Sequence, residues 1–147
     1  MLWRSCGQKE SEARMISSKF GEQLIREIFT TRPWYIGLST EAIPSNGTVK
    51  EPSKSIGYER IMIPADTAAF SVSTSNVNPI ASSTIAIDIP FQVFYSTVTI
   101  KSVFLSSTPT GNAEIWTNLN TFKTVMATQN LIILKNSLQF RISNETT

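Results

Sequence analysis

Histidine is absent from this chain of 147 residues, and cysteine occurs once, at Cys6. Without histidine there is no imidazole acid–base catalysis, no Ser-His-Asp or Cys-His nucleophile system, and almost no route to a zinc site. A lone cysteine makes neither an intrachain disulfide nor a thiolate metal cluster, and Cys6 sits in a mixed polar stretch where it reads as a bystander. Long apolar runs are also missing. LIIL at 131–134 is strand-sized, far below the ~18–20 residues that cross a bilayer. Charge is scarce: 16% of residues are Asp, Glu, Lys or Arg, against roughly 25% in ordinary globular domains. With a net charge of +2 and its charges scattered, the chain lacks the basic stripe that a nucleic-acid partner needs.

The charge deficit is uneven. From Met62 onward the basic residues are Lys101, Lys123, Lys135 and Arg141, and the acidic ones are Asp66, Asp88, Glu114 and Glu145. Serine, threonine and asparagine fill the rest. A surface covered by neighbouring copies or partners is charge-poor because burying charge is costly. The plainer alternative is a Ser/Thr-rich β-protein that is simply weakly charged.

What is present reads as one domain of ordinary size. Residues 1–14 are expected to be a disordered leader, or sequence upstream of a start at Met15, with a single domain over 15–147. Ile16, Phe20, Leu24, Ile25, Ile28 and Phe29 fall at helical spacing, with Ser17 or Ser18 able to cap the start and Pro33 halting the end. On this spacing Leu24 and Ile28 face inward, where an added carboxylate would unfold or dissociate the protein.

Trp34, Ile36 and Leu38 alternate as a strand, and Gly37 among them marks a bend or a close backbone approach. A loop over 41–55 carries turn chemistry at Pro44, Asn46-Gly47 and Pro52. Alternation resumes over 57–63, then over 84–89 and 98–106, where Val98, Ile100 and Phe104 share one predicted face. Further strands are predicted over 113–119 and 123–126. Segments 130–134 and 138–142 flank Lys135-Asn136-Ser137 as a closing hairpin. The fold class expected is mainly β: an antiparallel β-sandwich of about seven or eight short strands with one N-terminal amphipathic α-helix.

Reactive chemistry is hard to place on this pattern. Two carboxylates can hydrolyse glycosides, but Glu41, Glu51, Glu59, Asp66, Asp88 and Glu114 are spread out, and no spacing selects a pair. No acidic cluster offers a calcium loop. Aromatic platforms bind sugars, yet Trp34, Tyr35, Tyr58 and Trp116 sit at strand-alternating positions that favour the core. Phe91, Phe94 and Tyr95 differ in falling between two strands, where an exposed contact competes with packing under the sheet rim. No catalytic, cofactor or metal residues are assigned.

The order of the pieces is informative where no single piece is. FGEQLIREIF (20–29), WYIGLST (34–40), IGYERI (56–61), STIAIDIPF (83–91), TVTIKSVFLSS (97–107) and KTV (123–125) occur in sequence. This series resembles a family of small tailed-bacteriophage virion proteins, of the tail-fibre or minor structural kind. Their pattern is a short amphipathic helix, a strand like YVALFT, a Gly/Pro/Ser loop, a GGYAR strand start, a strand ending in FP, and a closing KTV hairpin. The chain departs from it in having a single glycine, Gly57, where a pair is common, and Trp116 beyond a longer turn.

The resemblance implies a virion component made in the host cytoplasm and working in an assembled particle, with no catalytic residues to carry over. The reading taken first is a non-enzymatic homo-oligomer whose partners are other virion proteins, with no cofactor, and the lack of long apolar runs leaves no membrane partner expected. Tail, baseplate or fibre attachment is the placement expected first. A head decoration protein and a module recognising host surface glycans are the alternatives. The long loop holds a larger share of charge than the strands after it, so Glu41, Asn46, Lys50, Glu51 and Lys54 form the candidate partner-contact loop. Phe91, Phe94 and Tyr95 form the second candidate segment.

Overall fold

The computed structural model describes residues 2–5, 9–12, 15–65 and 68–144. Helix α1 (Ser18–Thr30) begins where Ser17, in extended geometry, accepts the Phe20 N–H on its hydroxyl, and it ends at Thr30, with Thr31 as its cap before Arg32-Pro33. The strands are β1 (Leu2–Ser5), β2 (Lys9–Glu12), β3 (Trp34–Ser39), β4 (Ile61–Ile63), β5 (Phe70–Thr74) and β6 (Ala81–Ile85). They continue with β7 (Ile89–Pro90), β8 (Val98–Ser106), β9 (Ile115–Val125), β10 (Ile132–Ile133) and β11 (Gln139–Ile142). Within the expected leader, β1 pairs antiparallel with β2; residues 1, 6–8 and 13–14 lie outside the described ones.

The protein is mainly β with antiparallel sheets and one helix near its N-terminus, as the periodicities predict. A four-stranded sheet runs β4-β3-β8-β9, a three-stranded sheet runs β11-β6-β5, and β7 pairs with β10. One apolar cluster takes Ile36, Leu38 and Leu105 from the larger sheet and Phe70, Ala81 and Ile85 from the smaller. The two sheets therefore share a core.

The helix joins that core on a narrower face than its spacing implies. Gly21, Ile25 and Phe29 are buried, one above the other at intervals of four residues, while Phe20 and Ile28 stay 49% and 36% exposed. Gly21 is what allows the approach: a Cβ there would stand 3.2 Å from the Ala81 Cβ. Phe29 is the junction of the fold. Its ring lies 6.0 Å from Trp34 of β3, 5.2 Å from Phe70 of β5 and 5.0 Å from Phe140 of β11. Trp34 ties back to the helix, its indole N–H donating to the Ile28 carbonyl at 2.8 Å.

Three local expectations are corrected. Ile100 and Phe104 do not share a face: Ile100 joins the main core with Val103 and Leu105, while Phe104 packs on the opposite side. The cause is a large bulge. β9 spends five residue steps, from Asn118 to Lys123, against two on β8, from Ser102 to Ile100, and the inward phase of β8 moves from even to odd numbers across Lys101. The same bulge joins two predicted strands into one long β9. The closing hairpin is also absent, since β10 pairs with β7 and β11 with β6. The turn between them is held elsewhere, with Asn136 N–H on the Ile85 carbonyl and Lys135 N–H on the Asp88 carboxylate. Each arm is thereby delivered to a different partner strand.

Phe29→Ala is expected to cost about 3–5 kcal/mol of stability, the range for emptying a large buried aromatic site, measured by denaturant unfolding. Ile28→Asp should keep the fold and melt within a few degrees of the native chain. A collapse of Ile28→Asp with Phe29→Ala intact would reverse the assignment of the buried face.

Candidate functional site

The loop over 41–55 covers the outer face of the larger sheet instead of standing free. Ile43 is buried and, with half-buried Val49, packs on Phe104, Ala113 and Trp116 in a second apolar cluster. Polar ties reinforce it at both ends. Thr40 N–H donates to the Lys50 carbonyl at 2.7 Å, and the Ser39 hydroxyl donates to the Glu41 carbonyl at 2.7 Å while accepting Lys50 N–H at 3.2 Å. Asn118 on β9 grips Ile43 twice, accepting its N–H at 2.9 Å and donating to its carbonyl at 3.3 Å. Ala113 N–H donates to the Gly47 carbonyl at 2.8 Å.

The strongest tie is ionic. The Arg60 side chain is 4% exposed and each of its three guanidinium nitrogens donates a hydrogen bond. Nε and Nη2 donate to the two Glu51 carboxylate oxygens at 2.7 and 3.0 Å. Nη1 donates to the Thr108 carbonyl at 2.9 Å, and Nη2 donates again to the Gly111 carbonyl at 2.6 Å. The guanidinium also lies 4.8 Å over the Phe104 ring, a contact that planar arginine makes while its N–H groups keep their in-plane hydrogen bonds.

Tyr58 completes the knot, donating its hydroxyl to Glu51 at 2.7 Å and accepting Leu38 N–H at 3.0 Å. Burial, then the Glu51 hydrogen bond, hold its phenol well above the ordinary tyrosine range. Gly37 makes room for all of this, because a Cβ would come 2.8 Å from the Tyr58 oxygen and into the Phe104 ring. The close approach expected at Gly37 is real.

Every polar group of this knot is satisfied, so it is a clamp rather than a reactive centre. A cleft of about 300 Å³ beside it is lined by Tyr35, Lys54, Glu59, Pro109 and Thr110 as well as by the knot. Glu51 and Glu59 thus line one cleft, but Glu51 spends both oxygens as acceptors. Of the other acids, Glu41 pairs loosely with Lys101 at 3.7 Å, and Asp88 accepts Lys135 N–H. Glu114 is held below the usual carboxylate range, chiefly by its hydrogen bonding to Ser107. Asp66 lies outside the described residues. Among the described residues no cluster of His, Cys, Asp or Glu offers a metal site, and no helix is long and apolar enough to cross a membrane.

The structure sorts the sequence candidates. Glu41, Asn46, Lys50 and Lys54 present exposed side chains on a fixed loop. Glu51 does not, being committed to Arg60 and Tyr58. Phe91 and Phe94 are 4% and 0% exposed, the first stacked on Tyr58 at 6.2 Å and the second tilted against it at 6.3 Å, and leave the contact segment for the core. Tyr95 remains, 72% exposed. Arg60 and Asn118, which fix the loop, were not singled out by spacing. An arginine just before a short strand and an asparagine in an edge strand carry no local signal, and only the tertiary fold brings them to the loop.

Residues 13–141 match the family described as Podophage GP4 fiber I protein gp80. No curated protein matches the chain. With most of its length matched, the chain belongs to this phage fibre family, and the resemblance carried by the order of its segments is borne out.

Glu51→Ala is expected to cost about 3–5 kcal/mol, because it leaves the Arg60 charge buried without its partner. Denaturant unfolding measures this, and a loss under 1 kcal/mol would show the knot to be dispensable. The raised Tyr58 phenol gives a pH signature. Unfolded tyrosine loses its proton near pH 10 while folded Tyr58 keeps it, so the unfolded state binds fewer protons above that pH. Stability therefore holds below about pH 10 and falls as pH rises further. Melting curves from pH 8 to 11.5 should show a steeper alkaline decline for the native chain than for Tyr58→Phe.

Proposed function

We propose that this fibre-family protein is a non-enzymatic component of the virion tail, acting at the baseplate or fibre attachment. It assembles there as a homo-oligomer and holds other virion proteins. The family match over 13–141 is the observation that carries this reading. The site chemistry agrees with it, because the most buried ionic group, Arg60, is spent on holding a loop in place. A loop fixed before binding loses little conformational entropy on contact, which is what a structural joint requires. The surface it offers is the exposed rim of Glu41, Asn46, Lys50 and Lys54, with the charge to recognise a polar partner face and set its orientation.

Immunogold or nanogold labelling of purified particles tests the placement. Label is expected at the tail or its fibres, and label spread over the head would instead make this a decoration protein. At the loop, a Lys50→Glu, Lys54→Glu double substitution should leave melting unchanged and lower incorporation into particles at least tenfold. Normal incorporation would remove the loop from the contact.

A further inference from the structure

One ribbon of the protein has no charged residue of its own, its nearest charged neighbour across the fold being Lys54, in the turn that packs on Val93 and Tyr95. Segments 89–100 and 124–134 contain no Asp, Glu, Lys or Arg, and the fold brings them together as a ribbon. Ile132 pairs with Pro90, Phe91 N–H donates to the Leu131 carbonyl at 2.9 Å, and Thr128 N–H donates to the Phe94 carbonyl at 2.8 Å. Ile89, Phe91 and Phe94 point into the core at 4% exposure or less. The other side of the ribbon carries Val93, Tyr95, Met126, Ile132 and Leu134, exposed by 37, 72, 52, 47 and 63%. Together these five expose on the order of 500 Å² of largely apolar side chain, at the upper end of what a monomer presents in one patch.

We infer that this ribbon is the face through which one copy of the chain binds another. The argument rests on charge. In an association about a symmetry axis the same patch, or its neighbour, meets its own kind, so any net charge on it meets like charge. A charge-free apolar patch meets its copy without that penalty. A partner chosen by polar recognition would instead call for placed charges, as on the loop over 41–55. The area agrees: a standard interface buries ~800 Å² per partner, and five apolar side chains of this size supply more than half of it. Asp88, Lys123 and Lys135, beside the ribbon in sequence, provide the polar rim such interfaces carry. The inference deepens the homo-oligomer reading above and rests on it.

Light scattering of the full chain after size exclusion, over a hundredfold concentration range, is the first measurement. The native chain should exceed the mass of one copy. Ile132→Lys and Tyr95→Glu, at exposed positions that leave the core untouched, should each return it to a monomer with an unchanged melting temperature. Mixing Ile132→Lys with Ile132→Glu should restore association, since opposite charges then face each other. If the substitutions leave an oligomeric native chain oligomeric, the ribbon is wrong and the homo-oligomer reading stands. A native chain that is monomeric throughout overturns both. Should a variant melt early, a disulfide trap reads the same contact in the folded protein. Leu134→Cys in a Cys6→Ser background is expected to cross-link in oxidant, and no cross-link overturns the inference.

Discussion

The fold depends on where Phe29 sits. The two sheets have no strand in common, and the helix is short, so something must carry packing from one sheet to the other. Phe29 touches Trp34 of the larger sheet and both Phe70 and Phe140 of the smaller. Trp34 returns a hydrogen bond to the last helical turn, where carbonyls are otherwise left without intrahelical partners. One ring thus fixes the helix, β3, β5 and β11 relative to each other. The helix needs only a single row of contacts as a result, which is why Gly21-Ile25-Phe29 is buried while Phe20 and Ile28 remain exposed. A groove of about 460 Å³ opens between β9 and β11 beside this junction, with Ile28 on its wall.

On the outer face of the larger sheet the organising group is charged. A guanidinium taken out of water costs several kcal/mol unless its hydrogen bonds are replaced. Arg60 has four such bonds and an aromatic face. Its partners come from three places: Glu51 in the loop, Thr108 and Gly111 in the turn after β8, and Phe104 on β8 itself. The loop and the turn are therefore set by one group, and Tyr58 links them to the backbone of β3. The bulge opposite Lys101 serves the same end. It turns Ser102 and Phe104 outward under the loop while leaving Val103 and Leu105 in the core.

Much of this was legible in order and type, and less so in register. Alternation at Trp34-Ile36-Leu38 and a capped stripe ending at Pro33 are local signals, and the helix and β3 formed where they predict. The family resemblance was legible for the same reason, since the order of elements survives changes in detail. Which side of a strand faces in depends on the partner. Nothing within VTIKSVFLS announces that three extra residues on β9 will shift its phase. Likewise Leu131 to Leu134 and Leu138 to Ile142 each look like strands around a turn. Whether they pair with each other or with β7 and β6 is decided by Asp88 and Ile85, some fifty residues earlier. Phe91 and Phe94 looked free because they fall between two predicted strands, and they are buried because they pack on Tyr58.

The scarcity of charge has two readings, a covered surface or mere thrift, and under the proposed self-association the location of the charges favours the first. The described charges of the later strands are used locally. Asp88 and Glu114 accept backbone N–H groups, Lys101 lies against Glu41 and the Phe122 ring, and Arg141 donates to Gln139. A thrifty but solitary β-protein would spread such groups over whatever apolar surface it exposed, because a single lysine on an exposed ribbon suffices to discourage association. Here the apolar ribbon of segments 89–100 and 124–134 has none of its own, while the loop over 41–55 keeps Glu41, Lys50 and Lys54 at its surface. Charge is withheld from one face and concentrated on another. That division fits the two contacts proposed above: a second copy at the ribbon and an oriented, polar partner at the loop.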